Sequence, residues 1–146
     1  MSDKWGRRLF KTGAVALLIL GLVHSLSFFQ KPLPANDTEK QLLDLMSSYT
    51  FNLMGSFRSM AGMLRGFSVS FMLAALGFGA IDLMLSRERA GLLKRVALIN
   101  IIWLAAMTAL SLHYFFIVPT SFLASTLLIF ILAWLKLPAD GTPQRG

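Results

Sequence analysis

Seven side chains stand where chemistry is costly. His24, His113, Lys11, Asp82 and Asn100 fall inside strongly apolar runs, and Arg58 and Arg65 stand just before one. Ionisable groups in such runs are expensive to bury, so each is a candidate for function. They divide into two layers. In the outer layer, His24 lies five residues from Phe29 and His113 three residues from Phe116, which mark the outer ends of their runs. At 1.5 Å per residue the two histidines sit at about the same depth. Arg58, Gly62 and Arg65 follow at spacings of 4 and 3, which places both guanidinium groups on one face if the segment is helical, and Ser68 continues that face.

Two arginines so placed can clamp a phosphate or carboxylate by paired hydrogen bonds, and a histidine can hold or move a proton. A phospholipid, an isoprenoid phosphate or a fatty acid fits this chemistry, with Tyr49, Asn52 and Tyr114 as polar neighbours. The same four residues, His24, Arg58, Arg65 and His113, serve a binding site or, as the second reading, a membrane enzyme acting on a lipid or isoprenoid. A small transporter or a haem subunit is the third reading, with the histidines as axial haem ligands. The plain structural alternative has the histidines bonding between helices and the arginines holding headgroups. No metal site is expected, since neither Cys nor carboxylate accompanies the histidine pair. No cofactor is expected, haem being the one these residues leave open.

The inner layer holds Lys11, Asp82 and Asn100, each within roughly 3–6 Å of the inner edge of its run. A Lys11–Asp82 pair with Asn100 as hydrogen-bond partner would satisfy all three. Arg87 or a neighbouring basic loop is the other candidate partner for Asp82. Lys11 and His24 are thirteen residues apart, about 220° around a helix. His24 is therefore taken as the inward group, and the longer Lys11 reaches sideways to the interface.

The elements that position these residues are four apolar spans, at about 9–29, 66–85, 96–116 and 118–137. A span needs roughly 20 mainly apolar residues. Of the 146 residues, 55% are hydrophobic and 14% charged, and mean hydropathy is +0.65. Soluble domains carry about 25% charged residues, so an ordinary soluble domain is excluded, as is disorder. A transmembrane barrel would show short alternating segments, which are absent here. The basic start and apolar run of the first segment admit a signal peptide. The run continues to Phe29 with only Ser25 and Ser27 as small residues near its end, so it reads as an anchor.

Basic residues set the orientation. Lys4, Arg7, Arg8, Lys11, Arg87, Arg89, Lys94, Arg95, Lys136 and Arg145 fall on one side, against Lys31, Lys40, Arg58 and Arg65 on the other. The richer side is expected to be cytoplasmic, with both termini inside a bacterial inner membrane. The short Phe116–Pro119 connection makes the last two spans an antiparallel hairpin, with Pro119 in the first turn of the fourth.

The outer segment between the first two spans starts with Lys31-Pro32-Leu33-Pro34, an extended linker. Asp37-Thr38-Glu39 then marks a helix start. Leu42, Met46, Tyr49, Leu53, Phe57, Met60 and Leu64 recur at spacings of 3 and 4, which predicts an amphipathic helix over about 38–64. It would lie at the outer interface or extend the second span outward. Half of the eight methionines (Met46, Met54, Met60, Met63) fall here, and flexible thioethers suit apolar partners of variable shape.

No P-loop, dinucleotide-binding glycine pattern, HExxH or GxSxG occurs. Gly62 with Gly66, and Ala75 with Gly79, read as helix contact faces. The absence of Cys excludes thiol chemistry and disulfides. Nucleic acid is excluded as a partner, since the basic residues read as topology determinants. Membrane lipids, an amphiphilic small molecule, and a second copy or another membrane subunit are the partner classes left.

Gly21-x-x-His24, Met46, Arg58-Ser59-Met60 and Gly66-Phe67-Ser68 together resemble a group of small bacterial four-span membrane proteins. These pair a Gly-x-x-His first span with an aromatic Gly-Phe-Ser or Gly-Phe-Asn entry to the second. The resemblance covers about 21–79. It implies a four-helix membrane fold and no activity. The expectation is an all-α, integral membrane four-helix bundle forming a single membrane domain over 1–146, with an extra amphipathic outer helix. It would hold a lipid-like ligand in an outward-opening cavity, by binding rather than catalysis.

Overall fold

The computed structural model describes residues 2–30 and 32–139; Lys31 and Arg145 of the charge count lie outside them. The fold is all-α. The helices are α1 (Ser2–Leu26, followed by a 3-10 turn Ser27–Phe29), α2 (Asp37–Ser48), α3 (Met60–Leu85), α4 (Ala90–Tyr114) and α5 (Ile117–Lys136). A hairpin of β1 (Thr50–Leu53) and β2 (Ser56–Ser59) separates α2 from α3. Four of the helices are long and apolar enough to cross a membrane. At 1.5 Å per residue, α5 is about 30 Å long and α1, α3 and α4 each nearly 40 Å.

The chain divides into two compact units, Met1–Leu20 with Ala75–Gly146, and Gly21–Ala74. The first is an antiparallel helix assembly. Its core is Phe10, Ala14 and Leu17 from α1, Ala75 from α3, Leu93, Ala97 and Leu104 from α4, and Leu123, Phe130 and Ala133 from α5. With the buried Gly79 and Asp82 on α3, Asn100 on α4 and Thr126 on α5, these positions recur at three- and four-residue intervals, so each helix buries one stripe. Opposite faces are apolar as well, with Ile81, Ile99, Ile102, Leu128 and Leu132 all exposed. A helix apolar all round is what hydrocarbon surroundings require.

Small residues set how closely the helices approach. A Cβ on Gly79 would lie 2.9 Å from the Ala14 carbonyl oxygen, so α1 and α3 meet backbone to backbone there. A Cβ on Gly13 would strike the Phe130 ring, which packs edge-on against Phe10 at 5.7 Å. The Ala75–Gly79 pair is thus buried as a contact face. Gly62 and Gly66 are not: both are exposed, and a Cβ on Gly66 would meet nothing within 4 Å.

Helix ends in this unit are held by cations on carbonyls. Arg7 donates to the Glu88 carbonyl at 2.6 Å and pairs with Asp3. Lys94 donates to the Leu137 carbonyl at 2.9 Å and lies over the Trp134 ring. Leu137 caps α5, where a positive charge complements the helix dipole. Only Phe115 and Phe116 link α4 to α5, and Pro119 sits in the first turn of α5. Thr120 donates to the Phe116 carbonyl, so it accepts from Ser111, 2.7 Å away on α4.

The unit Gly21–Ala74 departs from the expected helix over 38–64. Helix α2 starts where the sequence places it. Asn36 caps it by accepting from the Glu39 N–H at 2.8 Å, and Glu39 accepts from the Ala35 N–H at 2.6 Å. It stops at Ser48, where Tyr49 turns to extended backbone, and beyond β1 Met54 and Gly55 both take left-handed backbone, with φ of 51° and 88°. Two such residues make the tight turn that joins antiparallel strands. Asn52 stabilises the turn by accepting from the Gly55 N–H at 2.9 Å. Ser59 then opens α3 by accepting from the Gly62 N–H, six residues before the expected entry.

Candidate functional site

His24 closes α1. The Ser25 and Ser27 hydroxyls donate back to the Leu22 and His24 carbonyls, at 2.6 and 2.7 Å, and satisfy the fraying end. The imidazole is wedged between two aromatic rings, Phe71 of α3 at 5.0 Å and Phe28 at 6.1 Å, both edge-on. Its Nε2 is buried and has no hydrogen-bond partner among the described residues. The Ser68 main chain lies beside the ring but outside hydrogen-bond geometry to Nε2. Buried polar atoms in folded proteins are nearly always paired, and leaving one unpaired costs about 1–3 kcal/mol.

Arg58 and Arg65 belong to the same compact unit but not to one helix face. Arg58 stands on β2 opposite Phe51, exposed, with one guanidinium nitrogen on the Phe57 carbonyl at 2.8 Å. Arg65 is on α3, exposed, and makes no hydrogen bond or ion pair among the described residues. The helical spacing of Arg58, Gly62 and Arg65 is overturned by the hairpin turn. Gly62 and Arg65 remain on α3, and Arg58 follows strand alternation.

The rest of this unit is apolar and open. Leu42 and Leu45 on α2 are more than half exposed, as are Tyr49, Phe57 and Phe67, and Met54 at the hairpin tip is fully exposed. The hairpin was hidden in the sequence because its aromatic and aliphatic residues fit a helical period as well as a strand period. The telling signal was Asn52-Leu53-Met54-Gly55, a glycine-bearing turn flanked by Phe51 and Phe57.

The other candidates lie in the helical unit. His113 is exposed in the last turn of α4, its ring edge-on to Tyr114 at 4.5 Å. Asp82 and Asn100 are both 1% exposed and joined, Asn100 Nδ2 donating to Asp82 Oδ2 at 2.7 Å. Lys11 is exposed, and no ion pair links it or Arg87 to Asp82 among the described residues. Its long side chain reaches outward instead of turning into the core. An open groove of about 290 Å³ runs along Ala16 of α1 and Ser121, Phe122, Ser125, Thr126 and Ile129 of α5. It contains none of the expected ligand residues. The Ser121, Ser125 and Thr126 hydroxyls each donate to a carbonyl of their own helix, leaving no free donor to recognise a ligand.

No protein-family model, curated protein or solved structure matches the chain.

Proposed function

We propose that the chain is an integral membrane protein that binds an amphiphilic, lipid-like ligand through the unit Gly21–Ala74, without catalysing a reaction on it. The four apolar helices are compatible with an integral membrane protein. The observation that carries the ligand is the buried, unpartnered Nε2 of His24 between Phe28 and Phe71. A nitrogen in that position is paired when a polar atom of a ligand enters beside it, and the aromatic edges suit an adjoining hydrocarbon. Arg58 and Arg65 supply positive charge in the same unit for an anionic headgroup. By the basic-residue count this unit faces the outer side of the cell membrane, with both termini cytoplasmic.

Native mass spectrometry of the full-length protein, released from mild detergent, tests the reading. A co-purified lipid is expected on the parent and on His113→Ala, and its occupancy falls about tenfold or more on His24→Ala, in line with a lost hydrogen bond to a charged group. Protein without adduct, or an adduct indifferent to His24→Ala, Arg58→Gln and Arg65→Gln, would overturn it.

A further inference from the structure

In the helical unit, Asp82 and Asn100 form a second polar centre unrelated to His24. Asn100 Nδ2 donates to Asp82 Oδ2 at 2.7 Å, while Asn100 Oδ1 is buried with no partner among the described residues. Exchanging the amide oxygen and nitrogen gives no relief, because the oxygen would then face a carboxylate oxygen. An ionised carboxylate offers only acceptors, so in either orientation the amide oxygen stays orphaned. The charge would be orphaned as well. The charged groups on the surrounding elements are Asp3, Lys4, Arg7, Arg8 and Lys11 on α1, Arg87, Glu88 and Arg89 between α3 and α4, Lys94 and Arg95 on α4, and Lys136 on α5. Among the described residues no ion pair reaches Asp82, and its hydrogen-bond partner there is Asn100. Lys94 is committed to the Leu137 carbonyl.

We propose that the Asp82–Asn100 pair is a proton-binding site, in which Asp82 carries a hydrogen on its second oxygen and donates it to Asn100 Oδ1. The carboxylic acid and the amide then close a cyclic pair with one N–H···O and one O–H···O bond. A single bound proton satisfies the orphaned oxygen and removes the buried charge together. The pair ties α3 to α4, so the proton acts as a latch between two spans. The sign of its pH dependence follows. The folded protein holds a proton that the unfolded chain releases at neutral pH, so the latch's contribution is present at low pH and lost as pH rises.

Infrared spectroscopy of the full-length protein in lipid nanodiscs tests this. At neutral pH the parent shows a protonated-carboxyl C=O band that disappears in Asp82→Asn. That substitution supplies an N–H where the proton was, so the variant keeps the parent's Tm at neutral pH and does not lose it at alkaline pH, whereas the parent does. If Asp82→Asn fails to fold, parent protein with carbon-13 aspartate reads the protonation state directly. A carboxylate spectrum for Asp82 at neutral pH, or a parent Tm that is flat into the alkaline range, would overturn the proposal.

Discussion

The His24 ring meets the Phe71 ring edge-on at 5.0 Å, and its buried Nε2 makes no hydrogen bond among the described residues. Replacing His24 with Phe keeps the aromatic packing and removes the orphan. The expected result is a protein as stable as the parent, or more stable by about 1 kcal/mol, since the desolvation penalty of an unpaired group disappears. Thermal unfolding in detergent checks this. A clear loss of Tm would mean that His24 has a structural partner.

Gly79 and Gly77 are two residues apart on α3 and have opposite surroundings. A methyl group at Gly79 meets the Ala14 carbonyl at 2.9 Å, and one at Gly77 meets nothing within 4 Å. Gly79→Ala is expected to cost roughly 1–3 kcal/mol through overpacking. Gly77→Ala is expected to be neutral or to gain up to about 1 kcal/mol of helix propensity. Unfolding midpoints of the two variants check the close approach of α1 and α3.

The hairpin is tested at Gly55. Its φ of 88° belongs to a turn, so Gly55→Ala is expected to destabilise Thr50–Ser59 by about 1 kcal/mol. A continuous helix through this position would instead gain about as much from the same change. Hydrogen exchange of the Thr50–Ser59 amides reads the sign.

Ser111 and Thr120 fix the α4–α5 turn through one hydroxyl pair. A double-mutant cycle with Ser111→Ala and Thr120→Val is expected to give a coupling of about 0.6 kcal/mol, the usual size of such bonds between membrane helices. A coupling of zero would show that the Phe115–Phe116 link alone sets the hairpin.

How much of this was legible in the sequence depended on whether one physical rule dominated. The spans were legible because a run of apolar residues long enough for a bilayer has few other uses, and all four helices end within three residues of the expected boundary. The entries to the first three spans were set six or seven residues too late, because polar and charged residues do not stop a helix; at the second, Gly62 and Arg65 are helical once Ser59 caps α3. The Asp82–Asn100 contact was legible because a buried carboxyl must find a partner. The partner assigned to Lys11 was not, because a long cation near a helix end can reach the interface on its own. The hairpin was lost to a coincidence of periods: Tyr49, Leu53, Phe57 and Met60 fit a helix, and only the backbone at Met54 and Gly55 decides otherwise. Of the residues around the proposed site, the sequence named His24. It could not name Phe71, whose role comes from packing alone.

The orientation of the chain is tested by cysteine labelling, which the absence of native Cys makes clean. Ser48→Cys, at the end of α2, is expected to react with an impermeant reagent added outside intact cells. Labelling only after the membrane is opened would reverse the orientation.

The most direct test of ligand binding is a titration of purified full-length protein with a soluble short-chain anionic phospholipid, followed by calorimetry. The parent is expected to bind it, and His24→Phe to bind about tenfold more weakly while remaining folded, the equivalent of about 1.4 kcal/mol. Equal affinity for parent and variant, or no binding by either, would contradict the account.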